Sequence, residues 1–197
     1  SKNSLCFHAD ASMTQVSKEH YRFGKYADEA RFASYYHQLK EILDASPASV
    51  VDIGVGDGVV GDYLRRRGSV EYVCVDYAAD TKPDVIADIR ALPFPDSSFD
   101  VACAFEVLEH LPFDDFEKSL SELARVARKR VIISLPHFGP PVKFLLKLPL
   151  LPEIKFAWKI PFPKTHTFNG QHYWEIGKRH YPVSRIRREV ARHGYPV

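Results

Sequence analysis

Cysteine, tryptophan and methionine are scarce in this chain: three, two and one among 197 residues. Cys6, Cys74 and Cys103 are too few and too widely spaced for a disulfide framework or a cysteine metal cluster. Cys74 and Cys103 fall inside apolar runs, where reduced, buried thiols are expected. No run of about 18 apolar residues is present, which excludes a membrane-spanning helix. No secretory leader is visible at the start, so a cytoplasmic protein is expected, with no metal in its site. The length suits one domain with a sizeable core.

Acids and bases nearly cancel, to a formal net charge of +2. That balance hides an asymmetry. From His137 onward there are eleven Lys or Arg against three acids, a local excess of +8, so the preceding residues carry −6. A basic C-terminal third suits an anionic partner. That partner is either an anionic membrane surface, to which the protein is peripheral, or an anionic substrate. A solvated face with no specific partner is the alternative.

Hydrophobic periodicity divides the chain into four stretches. Residues 1–45 hold an irregular arm and an aromatic-rich helix from Glu19 to Leu43, with Phe32, Tyr35, Tyr36, Leu39 and Leu43 spaced along one apolar face. Residues 46–136 alternate short β-branched runs with helical patterns. Strands are expected at Ser49–Ile53, Tyr72–Val75, Val85–Ala87, Phe99–Phe105 and Val131–Leu135. Helices are expected over Val59–Arg67, closed by Gly68, and from Phe116 to about Ala127, capped by Asp114 or Asp115. Near-continuous apolar strands separated by helices predict an α/β fold with a Rossmann-like, doubly wound, mainly parallel sheet. Its strand ends meet at one rim, where ligands bind. Residues 137–182, rich in proline, aromatics and lysine, read as an insertion over that rim with a short helical turn in Phe144–Leu151. Residues 183–197 carry a last helix, Val183–His193, with Ile186 and Val190 turned inward.

The chemistry gathers at the strand ends. Asp52-Ile-Gly54-Val-Gly56-Asp-Gly58 follows the first strand and opens a helix. A sharp turn there and unpaired N–H groups suit a carboxylate or phosphate. Gly56, Gly58 and Gly61 also match the dinucleotide spacing, so a nicotinamide oxidoreductase stays open at this point. Asp76 ends the second strand about twenty residues on, placed for ribose hydroxyls, and Tyr77 follows where it can cover a purine ring. Asp88 and Ile89 come after the third strand, and Glu106-Val-Leu-Glu109-His110 after the fourth. Further on, His172-Tyr173-Trp174-Glu175 puts a base, two aromatics and an acid within four residues. Such a cluster suits binding of a second substrate, or stapling of the insertion onto the sheet.

In this order, the motifs from Ser49 to Leu135 resemble the class I S-adenosylmethionine (SAM)-dependent methyltransferases, in particular the type 11 group. Arg31-Phe32-Ala-Ser-Tyr35-Tyr36-His37 and Phe168-Asn-Gly170-Gln171-His172-Tyr173-Trp174-Glu175-Ile-Gly177 resemble a bacterial and archaeal subset of it. The resemblance implies an enzyme that moves a methyl group from SAM to an acceptor and leaves S-adenosylhomocysteine. It implies that Asp52, Gly54, Gly56 and Gly58 hold the methionine end, and that Asp76 and Tyr77 take the ribose and purine. Asp88 and the Ile89 N–H then face adenine, and Glu106 lies beside the transferring methyl. His172, His137 and Glu106 are the candidate bases; Tyr173, Trp174 and Glu175 are the candidate acceptor-binding residues. The expected acceptor is a small molecule or a lipid- or sugar-linked substrate.

Members of that fold usually finish with a helix and an antiparallel strand pair. No such pair is legible before Val197, so the expectation is either a truncated chain or an edge covered differently, for example by a second copy. Two further functions remain in view beside the oxidoreductase. One is a catalytically silent SAM-binding protein, and the other a nucleic-acid methyltransferase using the basic tail. Phe105-Glu106-Val107-Leu108 stands where enzymes that methylate amino groups of bases carry Asn/Asp-Pro-Pro-Tyr, so nucleic acid is not the expected partner.

Overall fold

The computed structural model describes residues 28–149, 154–160 and 164–192. The expected N-terminal arm, residues 19–27 of the expected first helix, Cys6 and residues 193–197 lie outside the described residues. Five parallel strands form the central sheet: β1 (Ser49–Ile53), β2 (Glu71–Asp76), β3 (Val85–Ile86), β4 (Phe99–Phe105) and β5 (Ala127–Ser134). Their order is β3-β2-β1-β4-β5, with all four pairings parallel. The chain reverses direction of travel across the sheet between β1 and β4, so a crevice opens at that switch point. Helices α1 (Glu29–Asp44), α2 (Val59–Arg67), α3 (Phe116–Val126) and α4 (Val183–Arg192) complete the fold.

Burial follows from strand alternation. Every residue of β1 is buried, because this strand is central and covered on both faces. Val50, with Val101 and Cys103 of β4, packs into a layer with Tyr35 and Ile42 of α1 and Val60 and Leu64 of α2. Val51 and Ile53 join the opposite layer with Phe116, Leu120 and Leu123 of α3, and with Trp174 and Ile186. Ile186 is buried and Val190 packs beside it, as their spacing on α4 predicts.

Four local expectations need correcting. On α1 the buried residues are Tyr35, Gln38 and Ile42, while Phe32 and Tyr36 are 49% and 63% exposed and Leu43 is exposed too. The helix turns a mixed stripe inward because it covers a polar cavity as well as the core. Asp115 occupies the cap position of α3 without a side-chain cap bond. Its carboxylate pairs instead with Arg90 at 2.9 Å, and Asp114 sits in the preceding 3₁₀ turn. β5 begins at Ala127, four residues before the expected Val131, through the basic run Arg128-Lys129-Arg130. Asp100 holds two of these bases, at 3.1 and 3.0 Å, which lets a charged run pair as a strand.

The fourth correction concerns residues 141–159. Leu150 and Leu151 of the expected helical turn lie outside the described residues; at 144–146 the turn is replaced by strand, in an antiparallel hairpin of β6 (Pro141–Leu146) and β7 (Ile154–Lys159). Val142, Phe144 and Leu146 alternate with period two, and Pro149 prevents helix continuation. Among the described residues, no helix is long and apolar enough to cross a membrane.

Candidate active site

The rim of β1, β2 and β4 opens into a cavity of about 720 Å³, within the range that encloses a cofactor-sized ligand. One side is built from the glycine turn after β1. Gly54 has φ +87° and Gly56 φ +56°. A β-carbon at Gly54 would lie 2.4 Å from Val107 Cγ2, whereas one at Gly56 would meet nothing within 4 Å. So Gly54 is required for close packing, and Gly56 leaves open wall. The turn is tied to β2: Gly54 N donates to Val75 O at 2.8 Å, and Val55 N donates to Asp76 Oδ2 at 3.1 Å. Ala78 N donates to the other Asp76 oxygen at 2.8 Å. Asp76 thus fixes both loops flanking the crevice. Gly58 adopts φ +79° as the N-cap of α2 and borders a neighbouring hollow rather than the cavity itself.

Asp52 is buried on the cavity wall. Tyr72 donates to its Oδ2 at 2.7 Å, while its Oδ1 has no partner. Burial pushes the Asp52 carboxyl up to about 7, against a smaller lowering by the Tyr72 hydroxyl. An acid whose folded pKa is raised from 3.8 holds its proton more tightly folded than unfolded. It therefore makes stability fall as pH rises from about 4 to about 7, with no further loss above. Asp52→Asn should abolish that slope and raise stability at pH 8 by about 2–4 kcal/mol in the absence of ligand. Thermal melts of both proteins across pH 4–8 test this; parallel curves refute it.

Tyr77, Asp88 and Ile89 also line the cavity. Asp88 is already engaged: Arg90 Nη2 lies 2.6 Å from Oδ2 and Arg90 Nε 3.0 Å from Oδ1. Burial pushes the Asp88 carboxyl up, but the Arg90 guanidinium and N–H outweigh it and hold the carboxyl below the usual range; Asp115 shares the same guanidinium.

The other side comes from α1, the turn after β4 and residues 168–173. Glu106 leaves β4 in the left-handed region at φ +55°, an unfavourable conformation for a residue with a β-carbon. Arg31 Nη1 lies 2.6 Å from its Oε2. A 3₁₀ turn over Leu108–His110 then brings Glu109 to the wall almost fully buried. Its Oε2 has no hydrogen-bond partner. Burial, reinforced by Glu106 and Glu175, pushes its carboxyl up to about 8. Residues 168–174 dock onto this turn. Tyr173 N donates to Glu109 O at 2.8 Å, His110 Nδ1 meets Gln171 O at 3.1 Å, and Trp174 Nε1 donates to Leu111 O at 3.1 Å. His110 and His172 face each other edge-to-face at 5.0 Å. Burial, then the neighbouring His172, lowers the His110 pKa.

The expected site residues therefore separate. Asp52, Gly54, Gly56, Asp76, Tyr77, Asp88, Ile89, Glu106, His172 and Tyr173 all line one cavity. Four others stand elsewhere, Gly58 at the neighbouring hollow and three more. His137 is not on the cavity wall; it bridges Ile176, and its ring abuts Gly177. Trp174 is wholly buried, edge-on to Phe113 and Phe116, so it staples the segment to the core and cannot reach an acceptor. Glu175 stands behind His172, with Oε1 3.1 Å from His172 Nδ1 and Oε2 3.0 Å from Lys178 Nζ. The wall also takes Arg31, Tyr35 and Gln38 from α1. Their spacing of four and three marks a helix face carrying polar groups inward, the signal that an apolar-only count passes over.

Comparisons with known proteins agree with this architecture. Residues 51–135 match the model of a methyltransferase domain. A demethylmenaquinone methyltransferase of Thermus thermophilus is 33% identical over 117 residues, covering 51% of this chain and 52% of the relative. A malonyl-[acyl-carrier protein] O-methyltransferase of Halorhodospira halophila is 28% identical over 155 residues, covering 71% of this chain and 48% of the relative. The chain thus spans about half the length of the curated relatives it matches. The crystal structure of an S-adenosylmethionine-dependent methyltransferase from Mesorhizobium loti superimposes with a TM-score of 0.54 at 16% identity, covering 83% of this chain and 81% of that one. That likeness speaks for the fold alone. A glycine turn after β1, acids at successive strand ends and the matched stretch make one case: residues 51–135 are similar to a methyltransferase domain, set on the Rossmann-like fold of the class I methyltransferases.

Proposed function

We propose that the protein transfers a methyl group from SAM to an acceptor hydroxyl held on the Glu109–His172 side of the cavity. The observation that carries the reading is the continuity of that cavity, whose walls join a nucleoside-type half to a half bearing Glu109, His110, His172 and Tyr173. The residues fit SAM. The unpartnered Asp52 Oδ1 can serve the cationic methionine end, and the open wall at Gly56 leaves room for backbone approach. Asp76 can turn to ribose hydroxyls, and Tyr77 and Ile89 flank a purine. When bound, SAM supplies a methyl already activated by its positive sulfur.

The chain's own work is then alignment and exclusion of water. Holding acceptor and donor in line supplies roughly 7–11 kcal/mol in favourable cases. The Gln171–Tyr173 strap roofs the acceptor half, and the Arg31–Glu106 pair closes it from α1. The two relatives named above act on different acceptors, so neither fixes the acceptor here. Titration calorimetry with SAM and with S-adenosylhomocysteine tests donor use, and profiling cell extract incubated with SAM for a product heavier by one methylene unit tests transfer. Failure of both nucleosides to bind refutes the reading; binding of NADH in their place would favour the oxidoreductase alternative.

A further inference from the structure

We propose that Glu109, His110 and His172 bind one divalent transition-metal cation that grips the acceptor oxygen. One potential ligand atom from each residue lies within 4.8 Å of the others. Tetrahedral metal bonds of about 2.0–2.2 Å place ligand atoms roughly 3.3–3.6 Å apart, so a contraction of up to about 1.5 Å completes the set. Three further observations point to a cation. Glu109 is 1% exposed, yet its Oε2 has no partner, a costly state for a buried oxygen facing a cavity.

Each imidazole also has its Nδ1 held by a neighbour. A carbonyl only accepts, so His110 Nδ1 must carry a proton to bond Gln171 O. The Glu175 carboxylate likewise fixes the proton on His172 Nδ1. With the proton on Nδ1, the lone pair that could take a metal is the one on Nε2. Histidine ligands usually donate their second nitrogen to a carbonyl or carboxylate in this manner. The Lys178 ammonium, 3.0 Å from the other Glu175 oxygen, anchors that support in turn.

Two imidazoles and one carboxylate favour Zn²⁺, Mn²⁺, Fe²⁺ or Co²⁺ over Mg²⁺, which prefers oxygen. Three protein ligands leave coordination positions open. An acceptor hydroxyl in one of them becomes more acidic. Its proton leaves to water, the oxygen forms a bond to the methyl carbon as the sulfur–carbon bond breaks, and a neutral thioether departs. His172 then serves as a ligand and not as a base, which replaces the role expected from sequence.

The inference rests on the acceptor lying beside Glu109, but its test does not need SAM. Titrating the full chain with Co²⁺ should give visible d–d bands at one equivalent. Glu109→Gln and His172→Gln should each abolish them, and Glu175→Gln should weaken binding by roughly 10–100-fold. Circular dichroism checks that the variants are folded, and Asp76→Ala should keep the cobalt signal. No cobalt bands, or bands that survive both ligand substitutions, overturn the site. SAM calorimetry without metal judges the methyltransferase reading separately.

A different observation carries a second proposal: we infer that the β6–β7 hairpin docks on an anionic lipid surface. The register pairs Val142 with Trp158, Phe144 with Phe156 and Leu146 with Ile154. These six apolar residues share one face by alternation, and all six are exposed, Phe144, Phe156 and Trp158 by 55–58%. Positions 143, 155 and 159, on the alternate set, are lysine. With the apolar face sunk at the headgroup boundary, the excess of eleven Lys or Arg over three acids in residues 137–197 adds attraction to anionic headgroups.

Trp158 reports the event directly, because Trp174, the other tryptophan, is buried. Vesicles containing phosphatidylglycerol should blue-shift Trp158 emission, and brominated acyl chains should quench it. Trp158→Phe should remove the shift, and Phe144→Ser with Phe156→Ser should cut partitioning at least about 10-fold. Three results each overturn the proposal: equal partitioning into neutral vesicles, no shift at all, or a concentration-dependent dimer through this face without vesicle binding.

Discussion

Trp174→Ala is expected to lower the stability of the protein by about 3–5 kcal/mol, the cost of emptying a large aromatic site in a packed core. Trp174 is 0% exposed, lies edge-on to Phe113 and Phe116 at 5.1 and 5.2 Å, and donates to Leu111 O. Its loss leaves a void beneath residues 168–174 and frees that carbonyl. Urea denaturation followed by circular dichroism measures the change. The neighbouring Tyr173→Ala, at a rim position 40% exposed, should cost under about 1 kcal/mol. A Trp174→Ala cost as small as that would mean the residue is not the staple described above.

The second large effect concerns the donor half. Asp76→Ala should weaken SAM and S-adenosylhomocysteine alike by about 100-fold or more, since each hydrogen bond to a charged group is worth about 1.5–3 kcal/mol. Equal losses for the two nucleosides are the signature of a ribose contact, because they differ only at sulfur. Asp76 also receives the Val55 and Ala78 N–H groups, so Asp76→Asn, which keeps an acceptor oxygen, should fall between the wild type and Asp76→Ala. Calorimetry on the three proteins decides the matter. Unchanged affinity in Asp76→Ala would remove Asp76 from the cofactor site.

Sequence signals that are strictly local proved readable. β1 and its glycine turn, β4, α2 with its Gly68 cap, and the acids at strand ends depend on neighbours a few residues away, and their periodicity is unambiguous. What stayed hidden depends on distant partners. The Arg128-Lys129-Arg130 run reads as loop until Asp100, on another strand, is beside it. Phe144–Leu146 is apolar enough for either period, and its pairing with Ile154–Phe156 selects the strand. The aromatics of α1 suggested one buried face, yet Tyr35 and Gln38 turn inward because the cavity, not only the core, lies beneath them. Trp174 drew attention as a reactive-site aromatic, but its depth in the core is a tertiary fact that no spacing encodes. Glu109 was legible only as a second acid in the stretch that follows the fourth strand. Its burial without a partner emerges from the docking of residues sixty positions away.

The strap over the acceptor half meets the 3₁₀ turn chiefly through main-chain atoms: the Glu109 and Leu111 carbonyls, the Gln171 carbonyl and the Tyr173 N–H. Exchange of the side chains at Phe168, Gln171 or Tyr173 therefore leaves those attachments in place. Point substitution at those three positions can thus reshape this wall of the cavity while the wall built by Asp52, the glycine turn and Asp76 keeps its form.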